Sequence, residues 1–286
     1  MKKKLIAMVM ALALVLSLGT SAVAAEKPDT DLTFTIPGLT VTVTTDKLSD
    51  DVYAYADLNV LGMGKYVIYP ADMLENDDVY PVITWANGSW CPVQTYYGII
   101  EEIAAAGYVV IADTDLLTDD GVSTRDSVDY AYEINADEDS LFYGRLDLDR
   151  IGSTGHSLGG QAAVNASSVD SRIKAIVSIM GKSTADEAAN VTVPALYLSS
   201  QLDEVVPAAQ YVKPSYNASA GPAAYASCKL CEHCSAWYYP DQYARYTVQW
   251  FNAFLLDDAD ALAVFQDGGA LSQDSEFTDF NCKGLE

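Results

Sequence analysis

Ser157 stands in Gly155-His156-Ser157-Leu158-Gly159-Gly160, directly after the β-rich run 150–154 and before the small-residue segment 161–166. In that setting Gly-x-Ser-x-Gly predicts a nucleophile elbow, a strained strand-to-helix turn that lifts the hydroxyl above the end of a sheet. Gly155 and Gly159 omit side chains that would collide where strand and helix converge, and Gly160 permits the same close approach. The helix N-terminus beneath the serine favours negative charge above it. A neutral hydroxyl is a weak nucleophile and needs a base. The chain has only two histidines, His156 and His233. His156 adjoins the serine in the turn and should face away from the attacking side, in a packing or hydrogen-bonding role. His233 is therefore the expected base, provided that its loop returns to the same edge.

The carboxylate that orients such a base should lie between serine and histidine in chain order. Asp203 meets that requirement in Ser199-Ser200-Gln201-Leu202-Asp203-Glu204-Val205-Val206-Pro207, just beyond the predicted strand 193–198, with Glu204 as the local rival. An oxyanion hole needs two backbone donors. Gly88 lets the segment Trp85-Ala86-Asn87-Gly88-Ser89-Trp90 turn tightly, so that the Ser89 N–H faces an acyl oxygen, and Leu158 would supply the second N–H. A simple turn is the lesser reading of Asn87-Gly88, whose signal draws its strength from the pairing with the serine elbow.

The elements that must hold these groups alternate between two periods. Segments 39–45, 51–58 and 66–69 suit antiparallel edge strands, and 81–86, 108–112, 150–154, 173–179 and 193–198 are compact β-rich runs. Helical spacing appears over 94–106, which Gly107 should terminate, from a Ser123 cap to about residue 134, and over 242–256. This predicts an α/β fold in one domain, with a mostly parallel sheet covered on both faces. It disfavours a (β/α)8 barrel, and no strand ends in the spaced glycines of a dinucleotide site. Segment 180–192 is too short for a large helical lid.

Acidic residues outnumber basic ones 40 to 16, for a formal net charge of -24. Such a field repels phosphate backbones and anionic membranes, so no nucleic-acid partner is expected. Residues 1–25 read as a signal peptide, with Lys2, Lys3 and Lys4, an apolar run 6–18 and Ala22-Val23-Ala24. Residues 26–286 would then be a secreted catalytic domain with no membrane span. The first cysteine is Cys91, so a cysteine-borne lipid anchor is not expected. Cys228, Cys231, His233 and Cys234 resemble a soft-metal cluster in composition. Zinc there would consume the base, and export favours oxidation, so disulfides bracing the histidine loop are the better reading. Cys91 offers a tie from the oxyanion segment to that loop, while pairing within five cysteines leaves one over.

The motif order resembles the α/β-hydrolase family, most closely its bacterial cutinase-like and polyester-hydrolase branch. Gly88-Ser89, the elbow at Ser157, the Asp-x-x-x-Pro loop at Asp203 and His233 carry the resemblance, which covers about residues 51–254 and reaches weakly to Cys282. It implies a sheet of about eight strands with no large lid. It also implies hydrolysis of carboxylic esters by a Ser157, Asp203, His233 triad, and a C-terminal tie through Cys282. An aromatic residue commonly stands where this chain has Ser89, and the family histidine turn is glycine- and serine-rich rather than cysteine-rich. Trp85 and Trp90 beside the oxyanion segment and Trp237 after the histidine are the candidate substrate contacts; packing of the neighbouring helices is the plainer account of them. The expectation is a secreted, monomeric serine esterase acting on neutral hydrophobic esters, without metal or organic cofactor. A peptidase or amidase using the same triad, or a non-catalytic surface- or carbohydrate-binding protein on this fold, are the alternatives.

Overall fold

Residues 32–36, 39–43, 46–58 and 63–286 are described by a computed structural model of the chain. The expected leader, 1–25, lies outside the described residues. Strands β1 (Leu32–Ile36) and β2 (Leu39–Val43) pair with each other as a two-stranded antiparallel sheet, distinct from the main one. Among the described residues the main sheet holds ten strands: β3 (Asp46–Lys47), β4 (Val52–Leu58), β5 (Gly64–Pro70), β6 (Tyr80–Ala86), β7 (Val109–Asp113), β8 (Leu146–His156), β9 (Ile173–Ile179), β10 (Ala195–Ser200), β11 (Ala223–Cys228) and β12 (Phe277–Lys283). Their spatial order is β12-β11-β10-β9-β8-β6-β7-β5-β4-β3.

From β7 through β6, β8, β9 and β10 to β11 every pairing is parallel. Antiparallel strands flank this block, β5, β4 and β3 on one side and β12 on the other. The mostly parallel, doubly covered sheet is the predicted architecture, with more strands than the eight expected. Segment 39–45 is not one of its edge strands. The additional members are the two-residue edge strand β3, the fully buried, alanine-rich β11, and β12, whose Asp279 and Asn281 disguise an edge strand.

Period-two alternation feeds two cores at once. In β7, Val110 and Ala112 face one layer while Val109 and Ile111 face the other; in β10, Leu196 and Leu198 oppose Ala195 and Tyr197 in the same way. The first layer is closed by α1 (Tyr97–Ala105), through Ile99, Ile100 and Ile103, and by a long C-terminal helix Asp241–Leu255, through Tyr243, Trp250 and Phe251. The second is closed by α2 (Val122–Ala136) and α3 (Leu158–Ser167), through Val128, Ala131 and Val164. Fully burying each of these large side chains contributes about 2–3 kcal/mol. Ser123 is not the cap of α2: Gly121, at φ 73°, holds that position and Ser123 is buried in the first turn. Between β9 and β10 only the short helix Ala185–Ala188 intervenes, so no large lid arises there.

Candidate active site

At the carboxyl end of β8 the backbone enters α3 through Ser157, which holds φ 60° and ψ -119°. A non-glycine residue at such angles stores on the order of 1–3 kcal/mol. Neighbouring backbone holds the turn in place: the Ser157 N–H donates to the Ile179 carbonyl at 3.0 Å, and the Ser157 carbonyl accepts from Gln161 at 3.1 Å and Lys182 at 3.3 Å. Gly159 is required by close approach, because a Cβ there would run into the Ala86 carbonyl group. The sharp turn thereby brings the end of β6 against the start of α3.

His233 Nδ1 lies 2.7 Å from Asp203 Oδ2, and its Nε2 lies 3.0 Å from Ser157 Oγ. The second Asp203 oxygen accepts from the Val205 and Val206 N–H groups at 2.9 and 2.7 Å. With both oxygens occupied, the carboxylate is held in one orientation. Asp203 is 6%, Ser157 8% and His233 9% exposed, so the three groups interact with little water between them while remaining at the surface of the fold. In this geometry Asp203 accepts from Nδ1–H, which leaves Nε2 free to take the hydroxyl proton.

The acid and histidine loops are laced together. Gln201 and Leu202 donate through their N–H groups to the Cys228 and Cys231 carbonyls, each at 2.8 Å, and the Leu230 N–H donates to Gln201 Oε1 at 3.1 Å. A disulfide joins Cys228 to Cys231 within the histidine loop. Cys91, Cys234 and Cys282 are free thiols, so the links expected through Cys91 and Cys282 are not formed. Burial, reinforced by Glu232, pushes the Cys234 thiol up, which keeps it protonated beside His233 and a poor nucleophile.

The segment after β6 is anchored by a residue that sequence reading treated as part of a turn. Asn87 Nδ2 donates to the Asp113 carbonyl at 2.6 Å and to the Asp115 carbonyl at 3.2 Å, and the Asn87 carbonyl accepts from Thr118 Oγ1 at 2.8 Å. The Gly88 N–H donates to the Tyr96 hydroxyl at 3.1 Å, so it is not available to an oxyanion. Among the described residues the Ser89 and Leu158 N–H groups have no hydrogen-bond acceptor. A Cβ on Gly88 would press on the Tyr96 hydroxyl and His156, which explains the glycine.

His156 is buried beneath this surface. Its Nδ1 lies 3.1 Å from the Tyr96 hydroxyl and its Nε2 2.9 Å from the His233 carbonyl oxygen. Burial, aided by the neighbouring His233, drives its pKa down to about 3, so the ring is neutral. The three tryptophans fare differently. Trp90 is 72% exposed and Trp237 half-buried, whereas Trp85 is 1% exposed, its ring packed on Tyr96 at 5.1 Å, and offers no surface to a ligand. The strand alternation that sends Trp85 inward with Ile83 accounts for this. Exposed Leu202, Val205 and Leu230, on the acid and histidine loops, were not singled out in the sequence because isolated aliphatic residues in loops carry no pattern.

Comparison with known proteins adds a family. The profile of a family described as PET hydrolase-like matches residues 54–282. Cutinase est1 of Thermobifida alba is 25% identical over 229 residues, covering 77% of this chain and 69% of that protein. Cutinase 1 of Thermobifida cellulosilytica is 29% identical over 168 residues, 55% of this chain and 62% of the relative. A bis(hydroxyethyl) terephthalate hydrolase of Streptomyces coelicolor is 24% identical over 215 residues, 72% and 68% of the two chains.

Proposed function

Because the chain belongs to the PET hydrolase-like family of α/β-hydrolases, we propose that it is a secreted serine carboxylic-ester hydrolase acting on neutral hydrophobic esters, polyesters and their soluble fragments included. The observation that carries this reading is the continuous hydrogen-bond chain from Ser157 Oγ through His233 to Asp203.

In the proposed reaction His233 Nε2 accepts the Ser157 proton as Oγ attacks the ester carbonyl carbon. Asp203 stabilises the imidazolium without taking the proton. The Ser89 and Leu158 N–H groups hold the tetrahedral oxyanion, each such donor lowering the barrier by about 3 kcal/mol. His233 then protonates the departing alkoxide, leaving an acyl-Ser157 ester. Water, deprotonated by the same imidazole, attacks that ester and releases the acid.

Three features support a bulky, uncharged acyl group. Among the described residues no large lid follows β9, Trp90 projects from the oxyanion loop, and Leu202, Val205 and Leu230 project from the loops bearing Asp203 and His233. The bis(hydroxyethyl) terephthalate hydrolase among the relatives makes aromatic diesters a natural first substrate to test.

The test is a panel of p-nitrophenyl esters of short and long acyl chains, bis(2-hydroxyethyl) terephthalate, polyester film and chromogenic peptides, with labelling by a fluorophosphonate. Ester turnover and labelling, both abolished by Ser157→Ala, are the expected result. Cleavage of peptides in preference to esters, or a fluorophosphonate-inert serine, would overturn the assignment. Export is tested by the N-terminus of protein recovered outside the producing cells, which should begin after residue 25.

A further inference from the structure

The oxyanion segment and the histidine loop leave different strands. The first follows β6 and the second follows β11, and β8, β9 and β10 lie between them in the sheet. No direct backbone ladder therefore sets the distance between the Ser89 N–H and the His233 imidazole, although both must reach the same reacting carbonyl. A misplacement of about 1 Å costs on the order of 100-fold in rate.

Three buried groups span that gap in series. The Gly88 N–H donates to Tyr96, whose hydroxyl faces His156 Nδ1, and His156 Nε2 faces the His233 carbonyl oxygen. Proton accounting gives the series one direction. A carbonyl can only accept, so the single proton of the neutral His156 ring sits on Nε2. Nδ1 then accepts from the Tyr96 O–H, and the Tyr96 oxygen in turn accepts from Gly88. Every proton is placed, and both ends are backbone atoms, one adjoining the oxyanion donor and one belonging to the proposed base. Trp237 packs against both Tyr96 and His156, at centroid distances of 6.4 and 6.2 Å, and confines the rings laterally.

We propose that Tyr96 and His156 are positioning residues that fix the oxyanion loop relative to the histidine loop, a role that rests on the acyl-transfer reading above. An apolar pair would fill the same space without burying polar groups. The hydroxyl and the ring nitrogens instead convert the spacing of two independent loops into hydrogen-bond lengths. Neither residue touches the reacting atoms, so their loss acts on turnover through geometry rather than through substrate affinity.

The experiment compares Tyr96→Phe, His156→Gln and His156→Leu with the parent enzyme on one soluble p-nitrophenyl ester, measuring kcat, KM and Tm. Tyr96→Phe removes one oxygen and should lower kcat about tenfold while KM stays within about twofold. A glutamine at 156 presents a carbonyl to Tyr96 and an amide N–H to the His233 carbonyl, and should retain kcat to within about threefold. A leucine can do neither and should lose about 100-fold. Equal activity of Tyr96→Phe and the parent, or a leucine variant at least as active as the glutamine one, would reduce the network to packing and overturn the inference. If His156→Leu fails to fold, Tyr96→Phe decides the question alone. Ser157→Ala separates the two levels: residual ester turnover in that variant removes the acyl-transfer reading itself, whereas its loss beside an unaffected Tyr96→Phe removes only the positioning role.

Discussion

His156 and His233 lie 4.6 Å apart, ring centroid to ring centroid, yet their environments impose opposite tautomers. His233 carries its proton on Nδ1, toward Asp203, and exposes Nε2 to Ser157; His156 carries its proton on Nε2, toward a carbonyl, and has Nδ1 occupied by Tyr96. Two chemically identical side chains are divided by their acceptors into one that can accept a proton from the hydroxyl and one that cannot.

Replacing either end of the relay should show this division in rates. His233→Ala and Ser157→Ala are each expected to reduce kcat on a soluble ester by about 10⁴-fold or more. Circular dichroism and Tm should confirm that both variants fold. Loss of less than about tenfold in either would place the nucleophile or base elsewhere.

Asp203→Asn keeps the shape of the side chain but offers an amide where Nδ1–H requires an acceptor. The amide favours the wrong His233 tautomer, and kcat should fall by about 10⁴-fold. Single-turnover kinetics with a chromogenic ester should locate the loss in formation of the acyl-serine, because proton removal from Ser157 is the first step to fail.

Glu102, on α1, shares a hydrogen bond with Asp241 at the start of the C-terminal helix, and burial followed by that neighbour raises its pKa to about 7. An acid with a raised folded-state pKa stabilises the fold in its protonated form. The contribution is fully present below the unfolded-state pKa, near 4.5, and is lost as pH rises through about 7. Glu102→Gln keeps a donor toward Asp241 and should raise Tm at pH 8 relative to the parent, with little difference at pH 4. Parallel Tm–pH curves for the two proteins would exclude this coupling.

His156 has the opposite sign. Its pKa is lowered to about 3, so the neutral ring stabilises the fold above its ordinary value of 6.5 and the contribution is lost as pH falls toward 3. His156→Gln cannot titrate there and should flatten the fall of Tm between about pH 6 and 3. An unchanged acid slope would mean that the ring is not held neutral by the fold.

Gly159→Ala adds one methyl group at the point where α3 meets the Ala86 carbonyl. Because backbone lies on both sides, the change should cost about 3 kcal/mol and lower Tm by several degrees. Activity should fall with it, since Ala86 leads directly into the oxyanion segment. Normal stability with full activity would show that the elbow tolerates a wider approach.

Much of the site could be read from spacing because acyl-transfer chemistry restricts residue order. A serine between paired glycines, an acid in the following β–α loop and a histidine later in the chain left few assignments, and the structure brings Ser157, Asp203 and His233 within hydrogen-bonding reach. The fold class followed from apolar runs alternating with helical periods. Other features lay beyond sequence reasoning for physical reasons. Trp85 could not be assigned to the interior until the register of β6 was known. Strand β11 is poor in β-branched residues and was not recognised, although every residue in it is buried. The roles of Asn87 and Tyr96 depend on contacts with Asp113 and His156, partners distant in sequence that no periodicity announces.

Strand β12 closes the sheet beside β11, and the Lys229 N–H, on the way to His233, donates to the Glu276 carbonyl just before that final strand. The loop that carries the imidazole is thus braced from outside by the segment leading into β12. A chain cut before Glu276 would keep the loops bearing Ser157 and Asp203 but lose the edge that steadies their partner.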